Sequence, residues 1–364
     1  MRKGKEYKDV FSGINKVFSV YKMSQPELRQ DPITGIWVIV SEGRGDRPDK
    51  FARPNGHVTL PNHDPKCYFC PGNEHLTPPE VEAYRDSNNS SVWWTRTVPN
   101  KFPALSLEAR ADQNLLIKDG MFIRTGGYGN HEVIIEDPLH NRDIPERPSD
   151  LIREMWWMLR DRLTYNHSKG LENVVVFKNK GEEAGASAEH PHSQLAASFT
   201  HLQQLSKEIE GSQRYFSLDN FMDKKRQCVY CDMVHQELEK GVRIIAENPY
   251  FIAFLPFASR VPFETWLVPR NHKSDYTLIT SEEATSLADV TKKVFQKLRG
   301  VLKDFDYNMV LHSTPLNTGV QESYHYHIEI IPRTTKIAGF ELGAGTYINT
   351  ISPERAALHL NSYR

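Results

Sequence analysis

The stretch Asn173–Ser198, NVVVFKNKGEEAGASAEHPHSQLAAS, decides both the fold and the chemistry of this chain. It begins with an apolar, β-branched run at 174–177, which predicts a buried strand. A loop rich in glycine and alanine follows and leads into His190-Pro191-His192-Ser193-Gln194. In an extended chain the two histidines lie on the same face. The stretch therefore predicts a site, and the alternative is a surface loop with two unremarkable histidines.

The composition is that of a folded protein without a charge bias. The chain has 364 residues, of which 39% are hydrophobic and 25% charged, and its net charge is -1. This length suits two ordinary domains or one large one. The balanced charge gives no support for a nucleic-acid or membrane partner. No apolar run approaches the roughly 20 residues of a membrane span, and charges interrupt the apolar residues near the N-terminus. We expect a cytoplasmic protein in which residues 1–22 form an N-terminal extension.

All four cysteines lie in two Cys-x-x-Cys pairs, Cys67/Cys70 and Cys228/Cys231. In a chain expected to be cytoplasmic, such pairs indicate metal binding before disulfide formation. A redox-active pair would open a helix after a strand. Pro65 precedes the first pair and Pro71 follows it, which favours a turn instead.

The second half of the chain repeats the pattern of the first. Residues 264–272 match residues 132–140, since each segment runs from a Glu to a His with a Pro near its end. The helical pattern of 281–303 takes the place of that of 149–169, with Ser281 and Ser149 as expected N-caps. Residues 308–333 lie over 173–198 without a gap. Two copies of one α+β unit therefore make up most of the chain, divided into a half at 23–200 and a half at 201–364.

The repeat places cysteines and histidines in two equivalent ligand sets. Cys2His2 is a closed tetrahedral complement for Zn²⁺, so we expect one or two structural zinc ions per chain. The first set is Cys67, Cys70, His140 and His190, and the second is Cys228, Cys231, His272 and His325.

Alternatives remain open for several of these histidines. His131 is a rival ligand in the first half, although it departs from the Glu-to-His spacing of the repeat. His140 and His272 could each simply end a strand on the surface. His325 could be an ordinary packed strand residue between two tyrosines.

With His190 bound to metal, His192 is left free on the same face. A neutral imidazole near pH 7 is a competent nucleophile toward phosphorus. The Gln194 amide and Ser187 can donate to a phosphoryl oxygen, and the small residues around them let backbone N–H groups approach an anion. We therefore expect a phosphoramidate intermediate on His192; the alternative is a structural histidine.

The second copy lacks this arrangement. His327 stands at the position of His192, but Glu329 replaces Gln194 and the glycine- and alanine-rich loop is lost. A carboxylate would repel a phosphate. We expect one active half and one mainly structural half.

The string EHPHSQ, together with the two Cys-x-x-Cys pairs, resembles the galactose-1-phosphate uridylyltransferase family of the histidine-triad superfamily, whose active-site pattern is His-Pro-His-x-Gln. The likeness extends from about Pro26 to Glu354 and includes RQDPITGIWVIVS, NKFPAL, FKNKGEEAGAS and GFELGAGTYIN. It implies an α+β fold made of a duplicated histidine-triad-like unit, with a mainly antiparallel sheet and packed helices in each half. Members of the family are commonly dimers, which makes a homodimer the expectation.

The resemblance also assigns roles to individual residues. His192 would carry the covalent nucleotidyl group, and Gln194 would contact the transferred phosphate. Phe340 stands where a Tyr is commoner in the family. The other implied contacts are Asn179 and Ser187 with that phosphate, Arg44 and Arg47 with the nucleotide phosphates, Asn100 and Phe102 with the nucleoside, and Lys336, Phe340 and Glu341 with the hexose.

The implied reaction is a ping-pong exchange between a nucleotide sugar and a sugar 1-phosphate. UDP-glucose would give UMP to His192, glucose 1-phosphate would leave, and galactose 1-phosphate would take the UMP. ADP-glucose phosphorylases share the same frame but transfer AMP to phosphate, and the motifs leave this choice open. Two other hypotheses are a zinc-dependent nucleic-acid-binding protein, which the balanced charge disfavours, and a catalytically dead relative, which the intact His192 and Gln194 disfavour.

Overall fold

The computed structural model describes residues 25–42, 60–109, 116–199, 202–218, 228–316, 319 and 321–363. The predicted N-terminal extension, residues 1–22, lies outside the described residues, and so do Arg44 and Arg47. Within the described ranges, no helix combines the length and the apolar character that crossing a membrane requires.

Six α-helices and fifteen strands lie within these ranges. The helices are α1 (Ser149–Ser168), α2 (Gln203–Ser217), α3 (Val229–Lys240), α4 (Ser281–Leu302), α5 (Gly339–Ala344) and α6 (Pro353–Ser362). The strands are β1 (Glu27–Gln30), β2 (Trp37–Val40), β3 (Glu82–Arg85), β4 (Trp93–Pro99), β5 (Ile117–Asp119), β6 (Phe122–Arg124), β7 (Gly129–Ile135), β8 (Asn173–Lys180), β9 (His192–Ser198), β10 (Ile244–Glu247), β11 (Phe251–Phe254), β12 (Thr265–Pro269), β13 (Tyr307–His312), β14 (His327–Pro332) and β15 (Tyr347–Asn349).

One ten-stranded antiparallel sheet runs through most of the described chain. Its strand order is β10-β11-β12-β14-β13-β8-β9-β7-β4-β3, so the five strands of one half mirror the five of the other. The two inner strands, β8 and β13, pair directly, with Asn308 opposite Asn179. The predicted α+β class and antiparallel pairing are confirmed. Each half was expected to have its own sheet. In the structure the strands of both halves form one continuous sheet.

The two faces of this sheet have different partners. Helices α1 and α4 pack together on the back, where Leu195 and Ala197 of β9 join the main apolar core. Because side chains alternate along a strand, His192 and Gln194 project to the front. In the second half the front is covered by α2 and α3, whose Leu205 and Val229 pack with strand residues such as Trp266.

A small three-stranded sheet links the chain ends. Strand β2 pairs antiparallel with β1 and parallel with β15. Arg29 of β1 donates to the carboxylate of Glu354 at 3.0 Å and to the carbonyl of Phe257 at 3.1 Å. The N-terminal strands are thereby tied to the C-terminal half of the sequence.

The two hairpins that carry the key histidines differ in register. In the first, Gln194 of β9 lies opposite Phe177 of β8. In the second, Glu329 at the matching position of β14 lies opposite Val310 of β13. The pairing of the second hairpin is therefore shifted by two residues relative to the first.

This shift makes the gapless match of residues 308–333 to 173–198 wrong by two residues in its first strand. Hairpin register depends on the connection, and the two connections differ in length: 14 residues separate the paired Lys178 and Ser193, and 16 separate the paired Leu311 and Ile328. A gapless match across them therefore does not preserve the pairing. A shift of two keeps each side chain on its face. It also makes His312 the counterpart of Asn179.

The starts of both long helices differ from the expected N-caps by one residue. Helix α1 includes Ser149, and Pro148 precedes it without a side-chain cap. Helix α4 is capped by Thr280 rather than Ser281, because the Thr280 hydroxyl accepts from the Glu283 backbone N–H and the Glu283 carboxylate accepts from the Thr280 N–H. Pro148 cannot act as a side-chain acceptor, and Thr280 has the extended backbone that a cap requires.

Candidate active site and metal clusters

The first half brings its four predicted ligands into one buried cluster. Cys67 and Cys70 lie in turns before β3, His140 follows β7, and His190 precedes β9. The His190 Nδ1 lies 3.7 Å from the Cys67 sulfur and 3.6 Å from that of Cys70. The His140 Nδ1 is 3.6 Å from the Cys70 sulfur. All four side chains are buried.

These separations match the geometry that zinc requires. Zn–S bonds of about 2.3 Å and Zn–N bonds of about 2.0 to 2.1 Å place tetrahedral sulfur and nitrogen ligands about 3.6 Å apart. The Nε2 of His190 donates to the Asp137 carbonyl at 2.7 Å, so its Nδ1 faces the sulfurs. Burial raises the pKa of the Cys70 thiol to about 11 and lowers the pKa of His190 to about 4. The cluster could hold a metal ion, whose charge would favour the thiolates.

The second predicted set also converges. The Cys231 sulfur is 3.3 Å from the His272 Nδ1 and 3.7 Å from the His325 Nδ1. His272 Nε2 donates to the Gln321 carbonyl at 2.7 Å. Cys228 precedes α3, so this pair opens a helix, whereas the first pair lies in turns. His272 is exposed and Cys231 is only half-buried, which makes this cluster more open than the first.

His192 lies at the start of β9 with one ring nitrogen already committed. Its Nδ1 donates to the His190 carbonyl at 2.8 Å, which fixes the tautomer and leaves a lone pair on Nε2. The ring of Phe69, from the first Cys-x-x-Cys turn, lies 5.3 Å from the imidazole. Burial lowers the pKa of His192, because the low-dielectric surroundings disfavour the charged ring. A neutral imidazole with a free Nε2 lone pair can act as a nucleophile.

Gln194 lies on the same face two residues later and is held by two neighbours. His131 Nε2 is 3.0 Å from the Gln194 Oε1, and the Asn100 Nδ2 is 3.4 Å from the same oxygen. His131 therefore belongs to the surroundings of Gln194, whereas the metal cluster is completed by His140. From the sequence, His131 was expected only as an alternative metal ligand, and its contact with Gln194 was not predicted.

Behind the two site residues, on the helix side of the sheet, lies a buried group of charges. Glu136 accepts from Lys178 at 2.8 Å, from Arg147 at 3.0 Å and from the Ser193 hydroxyl at 2.5 Å. Burial acts to raise the pKa of Glu136, but Lys178 and Arg147 outweigh it and lower the pKa to about 2. These residues went unnoticed in the sequence, because nothing in the spacing of Glu136 and Lys178 shows that β7 and β8 both flank β9.

The remaining predicted contacts are spread around this face. Asn179 accepts from the Asn308 amide at 2.8 Å, and Ser187 is exposed in the loop before His190. Lys336 pairs with Glu183 of the same loop, with 3.2 Å between Nζ and Oε1. The other predicted residues lie on exposed segments, and among the described contacts none joins them to His192: these are Phe102 after β4, and Phe340 and Glu341 on α5.

Comparison with known proteins gives a consistent match over this architecture. The family model described as "Galactose-1-phosphate uridyl transferase, N-terminal domain" matches residues 18–200. A model described as "Domain of unknown function (DUF4921)" matches residues 158–360. An ADP-glucose phosphorylase of Arabidopsis thaliana is 32% identical over 91% of this chain and 91% of its own length. The chain belongs to the galactose-1-phosphate uridylyltransferase family.

Other members of the family show similar coverage. A galactose-1-phosphate uridylyltransferase of Thermotoga maritima is 29% identical over 92% of this chain and 97% of its own length. The crystal structure of an Arabidopsis thaliana ADP-glucose phosphorylase with bound ADP-glucose superposes with a TM-score of 0.77 and 30% identity, covering 93% of this chain and 100% of that one. A solved uridylyltransferase with a TM-score of 0.69 and 24% identity shares the fold. This chain is a transferase of the family.

In this member of the family, the front of the second half carries a different polar cluster. Glu208, His312, His327 and Glu329 place their ligand atoms within 4.8 Å of one another, and all four are buried. Glu208 pairs with His312 at 2.8 Å, and Glu329 pairs with Arg260 at 2.6 Å. Burial acts to lower the pKa of His312, but Glu208 outweighs it and raises that pKa. The gapless match of the two halves does not align His312 with Asn179. The strand register shows that these two residues are equivalent.

A cavity of about 870 Å³ lies beside this cluster. Its walls include Trp266 and Glu329 on the sheet and Glu208 on α2. The position that holds the Gln194 amide in the first half here holds Glu329, a carboxylate already bound to Arg260. This half therefore lacks the amide donor that the first half presents.

Proposed function

We propose that this chain is a nucleotidyltransferase that moves a nucleoside monophosphate from a nucleotide sugar to a second phosphate through a covalent intermediate on His192. The observation that supports this proposal best is the hydrogen bond from His192 Nδ1 to the His190 carbonyl. It leaves Nε2 unprotonated, and the Gln194 side chain lies on the same face of the strand. A strand-mounted nucleophile beside a neutral donor suits attack on an anionic phosphate.

In the first half-reaction, His192 Nε2 attacks the α-phosphorus of the donor. The P–N bond forms, the bond from the α-phosphorus to the bridging oxygen breaks, and the electron pair leaves with the sugar 1-phosphate. The ring is then a cation that still carries its Nδ1 proton. The His190 carbonyl accepts from that proton and stabilises the positive charge.

In the second half-reaction, a phosphate oxygen of the acceptor attacks the same phosphorus. The P–N bond breaks, and its electron pair returns to Nε2, which regenerates the neutral His192. No net proton transfer is needed, because the leaving imidazole was cationic. A neutral donor such as Gln194 can serve both steps, since it stabilises phosphoryl oxygens without changing charge.

Two donor and acceptor pairs are candidates. The first is the exchange of UMP between UDP-glucose and galactose 1-phosphate, a reaction of galactose metabolism, and the Thermotoga maritima relative is named a galactose-1-phosphate uridylyltransferase. The second is the transfer of AMP from ADP-glucose to phosphate. The Arabidopsis thaliana ADP-glucose phosphorylase, which is 32% identical to this chain, supports considering this second candidate beside the first.

We assign the surrounding residues by the same proposal. Gln194, Asn179 and Ser187 would contact the transferred phosphate. The remaining roles keep their predicted places: Arg44 and Arg47 on the nucleotide phosphates, Asn100 and Phe102 on the nucleoside, and Lys336, Phe340 and Glu341 on the hexose. Asn179 supports this assignment, because its oxygen accepts from Asn308 and its amide N–H₂ is therefore directed elsewhere.

The two Cys2His2 clusters are proposed zinc sites. Cys67, Cys70, His140 and His190 would hold one ion, and the equivalent residues of the second half the other. Bound zinc supplies structural cross-linking without an open coordination position. The first set joins two turns and a strand end, and it holds His190, whose carbonyl orients the His192 ring.

Trapping the intermediate tests the nucleophile. The protein is incubated with UDP-glucose or ADP-glucose labelled on the α-phosphate, and acid-labile label on the chain is counted. We expect stoichiometric label in the wild type and none in His192→Asn, because Asn keeps a donor to the His190 carbonyl but has no atom at Nε2. The matched control His327→Asn changes the equivalent residue of the second half and should keep its label. Label retained on His192→Asn, or absent from the wild type with both donors, would refute the proposal.

Comparing turnover separates the two candidate reactions. One assay supplies UDP-glucose with galactose 1-phosphate, and the other supplies ADP-glucose with phosphate. The kcat/KM ratio identifies the physiological pair, because a site that hydrogen-bonds one base rejects the other by a large factor, roughly 10⁴.

A further inference from the structure

We propose that His131 is a positioning residue that fixes the amide of Gln194 so that its N–H₂ group, rather than its oxygen, faces the reacting phosphate. This inference rests on the proposed function. An amide side chain has an accepting end and a donating end of similar shape, and only the donating end stabilises a phosphoryl oxygen. The site therefore needs a neighbouring group that prevents the amide from rotating and exchanging its oxygen and nitrogen.

The orientation can be derived from a backbone group whose polarity is certain. The backbone N–H of Ala104 donates to the Nδ1 of His131 at 3.1 Å. That nitrogen must be unprotonated, so neutral His131 carries its proton on Nε2. The Nε2 nitrogen lies 3.0 Å from a terminal atom of Gln194. Because Nε2 carries the proton and donates, this atom must be the acceptor, Oε1. The Gln194 N–H₂ then points the other way.

A second backbone group gives the same answer through Asn100. The Phe102 N–H donates to the Asn100 Oδ1 at 2.9 Å, so the other end of that side chain is its donating N–H₂. This group lies 3.4 Å from the Gln194 Oε1. The His131 Nε2 and the Asn100 Nδ2 lie 3.2 Å apart, so both nitrogens approach the same end of the Gln194 amide. Two backbone groups, the N–H of Ala104 and the N–H of Phe102, therefore both assign this end of the amide as Oε1.

The sheet holds His131 and Gln194 in this relation. Val133 of β7 lies opposite Gln194 of β9, and His131 lies opposite Ala196. His131 and Gln194 are therefore diagonal neighbours on the front face, within reach of each other's long side chains. The Asn100 N–H also donates to the His131 carbonyl at 2.8 Å, which fixes the second donor to the same strand.

The energetic consequence follows from charge. If Gln194 turned over, its oxygen would face an anionic phosphate, and a stabilising contact would become a repulsive one. Losing one preorganised donor costs about 10² to 10³ in rate. Losing only the restraint leaves the productive orientation partly populated, so we expect a smaller loss, of roughly tenfold to a hundredfold.

Two substitutions separate the restraint from the packing of the loop. Asn at position 131 places an acceptor near the site of Nδ1 and keeps the Ala104 bond, but it offers nothing at Nε2. Gln places a donor near the site of Nε2 and loses the Ala104 bond. We expect His131→Asn to slow formation of the nucleotidyl-enzyme in single turnovers by roughly tenfold to a hundredfold, with donor Kd changed by less than about threefold. His131→Gln should recover most of that rate.

A double-mutant cycle tests whether His131 acts through Gln194. In the Gln194→Ala background, His131→Asn should cost less than about twofold, because the amide that it restrains is gone. An undiminished loss in that background would overturn the proposal. So would a rate in His131→Gln below that in His131→Asn, which would indicate that the Ala104 bond alone matters.

An NMR measurement makes the inference independent of the activity. The His131 ring is observed by long-range ¹H–¹⁵N correlation in a sample at about pH 8, where an ordinary histidine is neutral. Its signals are assigned by their absence in His131→Gln. We expect a protonated Nε2 and an unprotonated Nδ1. The opposite tautomer would refute the positioning role even if the enzyme is active. Failure of both donors to label the wild type, with the expected tautomer present, would refute the proposed function and leave the hydrogen-bond arrangement established.

Discussion

Three imidazoles meet near this site, and a backbone group decides the chemistry of each. His190 donates from Nε2 to the Asp137 carbonyl, which turns its Nδ1 toward the sulfurs. His192 donates from Nδ1 to the His190 carbonyl, which leaves Nε2 as a lone pair. His131 accepts at Nδ1 from Ala104, which makes its Nε2 a donor. One residue type thus takes three proposed roles, those of metal ligand, nucleophile and orienting donor.

Only part of this division could be predicted from the sequence. His190 and His192 stand out because their spacing and the repeat point to two roles. The role of His131 depends on the Ala104 N–H, which is brought back onto β7 by a loop that the sequence pattern does not describe. Hydrogen-bond partners supplied by irregular backbone leave no periodicity in the side chains, so they escape pattern analysis.

The buried carboxylate of Glu136 gives a prediction on acid stability. Its pKa is about 2 when folded and 4.5 when unfolded, because Lys178 and Arg147 outweigh the burial. The unfolded state therefore binds the proton more tightly, so stability is complete above pH 4.5 and falls as the pH drops toward 2. We expect a loss of roughly 3 kcal/mol across this window from Glu136 alone.

Urea unfolding at a series of pH values checks this contribution. Glu136→Gln should be less stable than the wild type near neutrality by about 3 to 5 kcal/mol, because the buried Lys178 and Arg147 lose the carboxylate to which both donate. Its free energy of unfolding should then change less with acid than that of the wild type. Glu239→Gln, at an exposed position on α3, is the matched control and should follow the wild-type curve. Parallel acid limbs for Glu136→Gln and the wild type would contradict the assignment.

At the scale of single elements, the sequence located helices and strands well and their joins less well. The periodic segments at 149–169 and 281–303 are α1 and α4. Both helices begin at the serine that was expected to be the cap. In α4 this is because Thr280 and Ser281 are both good caps and only the backbone conformation chooses between them, whereas α1 follows Pro148 without a side-chain cap. The hairpin register was misplaced by two residues, because it depends on the geometry of the connecting loop.

The capping box of α4 gives a matched pair of substitutions. Thr280→Ala should lower the free energy of unfolding by about 1 kcal/mol, because the Glu283 N–H loses its acceptor at the helix start. Ser281→Ala should change it by less than about 0.5 kcal/mol, since Ser281 is exposed at the first helical position. Thermal or urea unfolding of the two variants measures the difference. Equal effects would mean that the cap is not at Thr280.

At the scale of the whole molecule, one sheet carries two copies of a unit with unequal surroundings. The repeated Cys-x-x-Cys and histidine positions were sufficient to predict the duplication and the convergence of two Cys2His2 sets. The sequence did not show that β8 and β13 pair into a continuous sheet, because nothing in either strand marks its neighbour. Nor did it show that α2 and α3 cover the front of the second half, where Tyr230 of α3 packs on His327, the position equivalent to His192.

The unequal burial of the two Cys2His2 clusters predicts unequal release of the zinc ions proposed for them. All four residues of the first cluster are buried, whereas the second has His272 exposed and Cys231 half-buried. A chelator needs access to a ligand that can leave, so the second ion should be removed faster, by at least roughly tenfold. Elemental analysis should find two zinc ions per chain, and a chromogenic chelator should record two phases. Cys231→Ser should eliminate the fast phase and Cys70→Ser the slow one. The two ligand sets contain the same residue types, so their burial is the expected cause of any difference in release. A single phase containing both ions, or loss of the fast phase in Cys70→Ser, would show that burial does not control release.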